Sequence, residues 1–323
     1  MKVCVYGAGA IGGHIAGHLA RADVEVSVIA RGPHLEAMQR KGLRVVTPNE
    51  DFTVPVKATG DASELGPQDY VFITLKSHQV TNALDAMQPL LGPDTAVIPP
   101  TTGIPYWYFY GQPGPHENLR LERLDPGGRQ WEMLRPERAI GCVFWTGAEV
   151  VEPGVVRQDG AASGYPIGEP DGSESERIVR LSRAMYDGGL KAPVRRAIRG
   201  DLWIKMINSM CWNPVAALCN ATNGEIAEAP DVVDVVRRMM KEAETVAEAL
   251  GVEIPVPMEK RVTITLGAVH HKMSMLQDLE RGRPIELDVL AESIATMREL
   301  AGLETPTIDA VLSLVRLRAR HLG

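Results

Sequence analysis

The chain has 323 residues, enough for two domains, and 45% apolar with 23% charged residues is the make-up of an ordinary globular protein. A net charge of −7 argues against a nucleic-acid binder, which needs a basic face, and reads as simple solubility. Cys4, Cys142, Cys211 and Cys219 have no metal-like spacing and three lie in apolar runs, so they read as reduced, packing cysteines of a cytoplasmic protein. No signal-like opening and no run of about 20 apolar residues occurs, so neither secretion nor a membrane span is expected.

Lys2-Val3-Cys4-Val5-Tyr6 reads as a buried strand, and Gly7-Ala8-Gly9-Ala10-Ile11-Gly12-Gly13 follows it at once. A helical pattern through Ile15 and Leu19 leads to a second strand, Glu25 to Ala30. A G-x-G-x-x-G between a strand and a helix of one β-α-β unit marks a dinucleotide site. Gly7 makes the tight turn, Gly9 lets the backbone approach a pyrophosphate, and Gly12 lets helix and strand pack closely. The helix N-terminus then offers N–H groups and a positive dipole end to phosphate. Where an NAD site wants a carboxylate after the second strand, this chain has Ala30-Arg31-Gly32. A guanidinium there suits the 2′-phosphate of NADP, unless Arg31 is only a solvated loop residue.

Tyr70–Leu75 is the next buried strand, and its carboxyl end delivers Lys76, a candidate for cofactor or substrate and otherwise a surface lysine; His78 reads as a loop residue. Ala96–Pro99 leads into Thr101-Thr102-Gly103, where a nicotinamide would lie. From Pro105 to Arg138 the texture becomes a long connection, and Tyr106–Tyr110 holds five of the 16 aromatics. That run reads as a pocket wall or lid, with a satellite cluster or a subunit contact as the alternatives. Strand-like runs return at Ala139–Trp145 and Gly154–Arg157, and a helix from Ser173 to Gly188 closes a first domain of residues 1–196.

Residues 197–323 carry helical periodicity almost throughout, from Gly200 to Cys219, Asp231 to Leu250, Pro257 to Gln277, Ile285 to Leu300 and Pro306 onward. The expected fold is therefore α/β plus all-α, a doubly wound Rossmann-type domain and then an all-helical one, with the ligand cleft between them. The segment Asp201–Pro214 is apolar on nearly every side, yet Lys205, Ser209 and Asn213 stand four apart along one helical stripe. A lysine so surrounded either snorkels to water or has chemical work. Adjacent His270 and His271 diverge by roughly 100° on a helix and have no third ligand in step, so no metal is expected.

Taken together these pieces resemble the ketopantoate reductase (2-dehydropantoate 2-reductase) family over essentially the whole chain. The resemblance rests on Gly7–Gly12, Arg31, Thr74-Leu75-Lys76, Trp203-Ile204-Lys205, Asn213-Pro214, Ser274-Met275-Leu276-Gln277-Asp278 and Glu286-Leu287-Asp288. It implies NADPH as cofactor and a small 2-oxo acid as substrate, with ketopantoate, and so pantothenate synthesis, the leading case. By the same resemblance Lys205 and Glu286 are catalytic, Ser274 and Asn213 bind substrate, and Gly7, Ala8, Gly9, Ala10, Ile11, Gly12, Arg31 and Lys76 hold the cofactor. Thr102 falls at a cofactor and substrate position, and Ser209 at a substrate position, where the family usually has asparagine. Asn208 stands one residue from Ser209, rotated by roughly 100°, and cannot simply replace that amide.

Two lost amides leave room for a paralogous NADP-dependent dehydrogenase of a bulkier hydroxy acid or alcohol. An NADPH-binding sensor without turnover is the third reading, and the presence of both Lys205 and Glu286 argues against it. The apolar faces of the helical half fit either a homodimer interface or its own core.

Overall fold

A computed structural model describes residues 1–100, 102–160 and 163–322. Its contacts divide the chain into two compact units, Met1–Thr101 with Pro105–Ile198, and Thr102–Ile104 with Arg199–Gly323.

The first unit begins β1 (Lys2–Tyr6), α1 (Ala10–Leu19), β2 (Glu25–Ile29), α2 (Gly32–Lys41), β3 (Leu43–Val46), β4 (Asp51–Val54) and β5 (Lys57–Thr59). It continues β6 (Gln68–Ile73), α3 (Ser77–Met87), β7 (Leu91–Ile98), α4 (Arg129–Leu134), β8 (Gly141–Cys142), β9 (Gly147–Glu152), β10 (Val155–Asp159), β11 (Ile167–Gly168) and α5 (Glu176–Asp187). Five strands pair in parallel in the order β5-β2-β1-β6-β7. The strand order reverses at β1, so the turn leaving β1 is the topological switch point, where open α/β sheets bind ligands. Val3, Cys4, Val5, Val71 and Phe72 are wholly buried, as central strands covered on both faces must be.

A second sheet, β4-β3-β10-β9, packs on α1 and was not legible as a sheet in the sequence. Its strands are short and alternate buried with exposed residues, and β3 pairs with β10 across more than a hundred residues. Gly13 and Gly17, one helical turn apart on α1, make this packing possible. A Cβ on Gly13 would lie 2.7 Å from Val156 Cγ2, and one on Gly17 would overlap Val45 Cγ2. The helix is also pinned by side chains: His14 Nδ1 meets the Tyr165 hydroxyl at 2.7 Å and His14 Nε2 meets Gln158 Oε1 at 2.8 Å. Burial lowers the His14 pKa to about 4, so the ring is neutral, accepting from one partner and donating to the other.

Within the run expected at Ala139–Trp145 only β8 forms a strand, paired with β11, while Ala139 bridges Val97 and the Val143 and Trp145 amides donate to the Pro166 and Gly164 carbonyls. The aromatic run packs as a buried cluster. Tyr106, Trp107, Tyr108 and Phe109 are at most 3% exposed, and Tyr108 and Phe109 pack edge to face with centroids 4.9 Å apart. Tyr110, half-buried, stacks edge-on against Trp131 of α4. Cys4, Cys142 and Cys211 are buried thiols, and Cys219 is exposed.

The second unit is helical: α6 (Ile198–Cys219), α7 (Asn223–Ala227), α8 (Pro230–Ala249), α9 (Met258–Gly267), α10 (Ser274–Glu280), α11 (Leu287–Ala301) and α12 (Pro306–Leu322). The single helix expected over Pro257–Gln277 is broken between Gly267 and Ser274. There the Val269 and His271 carbonyls accept from the Gly224 and Asn223 amides at the start of α7, a tertiary pairing that replaces the helical one. His270 and His271 are exposed, and among the described residues no group of three potential metal ligands forms. Likewise, no helix among them is long and apolar enough to cross a membrane.

The α1 packing is open to test. Gly17→Val should destabilise the protein by about 1–3 kcal/mol through overpacking, and Val45→Ala in the same chain should recover part of that loss. Urea unfolding followed by circular dichroism measures both, and additive losses would contradict the contact.

Candidate functional site

At the switch point, Gly7 takes φ +100°, a conformation that disfavours a side chain. The amides of Gly7 and Ala8 both donate to the Ile29 carbonyl, at 3.1 and 2.9 Å, which folds the turn back onto the end of β2. Thr74 Oγ1 donates to the Gly7 carbonyl at 2.7 Å and fixes the turn from the β6 side. A Cβ on Gly12 would collide with that same Thr74 hydroxyl and lie 2.5 Å from the Gly7 carbonyl oxygen. Gly9 differs: it is exposed, and a Cβ there would meet only Gly7 O, at 4.0 Å. The close packing under Gly12 and the open space over Gly9 suit a pyrophosphate at the N-terminus of α1, which no side chain caps.

Ala8 is buried beneath the turn, while Ala10 and Ile11 are half-buried in the first turn of α1. Arg31 is exposed, with extended backbone at the start of α2. Lys76, half-buried, begins α3 at the carboxyl end of β6, and its amide donates to Gln79 Oε1 at 3.3 Å.

Two residues around this loop escaped the sequence reading. Thr74 is one, quoted only as part of a motif. His34 is the other: its Nδ1 accepts from the Gly154 amide at 2.9 Å, which places the ring hydrogen on Nε2. Burial lowers the His34 pKa, and interaction with the Ala8 backbone partly opposes this. A histidine three residues after Arg31 carries no sequence signal for such a contact, because its partner comes from the hairpin between β9 and β10.

In the helical unit, α6 buries Leu202, Trp203, Met206, Ile207, Met210, Cys211 and Trp212 to within 1%. Lys205 is partly exposed among them. Burial pushes the Lys205 pKa below the usual lysine range, and the Glu286 carboxylate pulls it back upward. Glu286, half-buried, immediately precedes α11, so the first turn of that helix sets its place.

Further along the stripe, Asn213 is 5% exposed and its amide is committed to protein partners. Its Nδ2 donates to the Ser209 carbonyl at 3.0 Å, the ordinary i−4 pattern. Its Oδ1 accepts from Ser274 Oγ and from the Met275 amide, both at 3.2 Å. Asn213 therefore orients the exposed Ser274 at the start of α10. Ser209 is half-buried between Lys205 and Asn213. Asn208 turns away from the stripe, where its Oδ1 accepts from the buried Arg261 at 3.4 Å, so it does not substitute for an amide at 209. Thr102 is half-buried in the three-residue turn that groups with the helical unit.

Comparison with known proteins identifies the family. The family model for ketopantoate reductase PanE/ApbA matches residues 3–104, and that for its C-terminal part matches residues 197–319. The 2-dehydropantoate 2-reductase of Mesorhizobium japonicum is 44% identical, covering 100% of this chain and 99% of that protein. The chain belongs to the ketopantoate reductase family. It is an oxidoreductase of the kind that acts on a CH–OH group. A crystal structure from Ralstonia solanacearum, provisionally named a ketopantoate reductase, is 36% identical with a TM-score of 0.91, covering 99% of this chain and 98% of that one. D-mandelate dehydrogenase in a complex with NADH and anilino(oxo)acetate has a TM-score of 0.80 at 20% identity, covering 100% of this chain and 99% of that one, a likeness of fold alone.

The glycine loop of this reductase makes a direct prediction. Gly12→Ala should weaken dinucleotide binding at least about tenfold, because the loop must shift away from Thr74. Quenching of tryptophan fluorescence by NADPH measures it, and unchanged affinity would remove Gly12 from the cradle.

Proposed function

We propose that this protein uses NADPH to reduce the carbonyl of a 2-oxo acid, with 2-dehydropantoate to pantoate, a step of pantothenate biosynthesis, as the leading case. The observation that carries the mechanism is Lys205, a lysine inside an apolar helix whose pKa burial lowers and Glu286 raises. Bound NADPH supplies the hydride. As negative charge builds on the carbonyl oxygen, the Lys205 ammonium stabilises it and donates the proton. Glu286 keeps Lys205 protonated until that moment. Ser274, with its hydrogen turned to Asn213, offers an acceptor oxygen and so suits a substrate hydroxyl. The residues around Gly7, Gly9 and Gly12, together with Arg31 and Lys76, hold the dinucleotide, and Thr102 is assigned to cofactor and substrate.

Ser209 supports a second reading. A hydroxyl in place of a longer amide leaves more room along the lysine stripe, as a paralogous dehydrogenase of a bulkier hydroxy acid would need. Turnover of 2-dehydropantoate against a panel of larger 2-oxo acids, followed by loss of reduced nicotinamide absorbance, separates the two. The buried reduced thiols favour a cytoplasmic enzyme.

Lys205→Ala should lower kcat by about 10²–10⁴-fold with NADPH affinity nearly intact; unchanged kcat would remove Lys205 from the chemistry. The ammonium is the active form, so kcat/KM should fall as pH rises through the Lys205 pKa. Glu286→Gln removes the charge that raises this pKa, and the alkaline limb of its residual activity should move to lower pH. An unmoved limb would separate Glu286 from Lys205. Arg31→Ala should weaken NADPH by about 10–100-fold and leave NADH nearly unaffected. Equal losses for the two would count against a 2′-phosphate contact.

A further inference from the structure

Ser293 is wholly buried in α11, two helical turns after Glu286. Glu286 immediately precedes this helix, so Ser293 lies about 10 Å along α11 from it. The Ser293 hydroxyl donates to the Val289 carbonyl at 2.7 Å and accepts from the Ile104 amide at 2.9 Å. The first bond is an ordinary i−4 return that holds the rotamer. The second crosses 189 residues of sequence to a backbone group.

Gly103 completes the junction. Its φ is +82°, and a Cβ would lie 2.5 Å from Ser293 Oγ, 3.0 Å from Val289 Cγ2 and 3.2 Å from the Val289 carbonyl oxygen. Backbone thus lies directly on the helix, with Ile104 4% exposed beneath it. Thr102 is the residue immediately before this contact.

We infer that Ser293 is a positioning residue of the reductase, fixing the Thr102–Ile104 turn on the helix that follows Glu286. It touches neither substrate nor cofactor, and it acts by holding Thr102 at a set distance from Glu286. The inference rests on the functional reading above, in which both of those residues serve the reaction. Nothing in the sequence marks Ser293, since a serine inside an amphipathic helix reads as a neutral filler.

The test compares Ser293→Ala, Ser293→Thr and Thr296→Ala in the full chain with NADPH and 2-dehydropantoate. Thr296 makes the same kind of i−4 bond, to the Glu292 carbonyl at 2.7 Å, and so controls for loss of a helical hydroxyl. Ser293→Ala should lower kcat about tenfold, the scale of one lost hydrogen bond to a buried amide, with the NADPH Kd close to wild type and the melting temperature lowered by no more than a few degrees. Ser293→Thr keeps the hydroxyl and should retain most of the turnover, and Thr296→Ala should match wild type. Adding Gly103→Ala to Ser293→Ala should cost less than Gly103→Ala alone, because the nearest clashing atom is gone. Ser293→Ala indistinguishable from Thr296→Ala, or a kcat loss that only tracks a lower melting temperature, would overturn the inference and leave the reductase reading standing. Absence of 2-oxo acid turnover by the wild-type protein would overturn both.

Discussion

A single ammonium inside an apolar helix sets the terms for the helical unit. Taking a charged group out of water costs several kcal/mol unless something opposes it, and the usual outcome is a group that gives up its charge. Lys205 sits on that boundary, with burial drawing its pKa down and Glu286 drawing it up. A proton donor needs this balance: a lysine in open water holds its proton too firmly, and one buried without a carboxylate has already lost it. The surroundings follow from the requirement. Trp203, Met206, Ile207 and Trp212 are buried on the same helix, and Glu286 immediately precedes α11.

The helix after the glycine loop meets a different constraint, the need for backbone to come close on two sides at once. At its start, Gly7, Gly9 and Gly12 serve the turn, the open space above it and the contact with Thr74. Toward the second sheet, Gly13 and Gly17 clear space for Val156 and Val45. The neutral His14, bonded to Tyr165 and Gln158, keeps that second face in register. Five glycines within eleven residues of chain therefore do two separate jobs, and only the first three belong to the binding motif.

Along the lysine helix, amides and hydroxyls act through one another. Asn213 uses its carbonyl oxygen to place Ser274 and the first turn of α10, and Asn208 serves the buried Arg261, itself ion-paired with Glu244. An asparagine on a lysine helix thus has quite different duties according to its face. Rotation by one residue was enough to separate them.

The glycine loop, the parallel strands, the lysine stripe and the helical second half were all legible in the sequence, because each is written in local periodicity or in a motif of fixed spacing. Family membership was legible for the same reason, through short runs such as Ser274–Asp278 with Glu286. The second sheet was not, since β3 finds its partner β10 only after the chain has gone through the rest of the main sheet. The break before Ser274 and the burial of Tyr106–Phe109 were hidden too, because in both cases a distant segment supplies the partner that decides the local conformation. The same holds for Thr74, His34 and Ser293, whose hydroxyl or ring reads as filler until the fold sets a backbone group beside it. Sequence determined which chemical groups this reductase has and along which stripes they lie. Tertiary structure decided which of them meet, because a hydrogen bond depends on distance in space and spacing along the chain encodes that only within a helix, strand or turn.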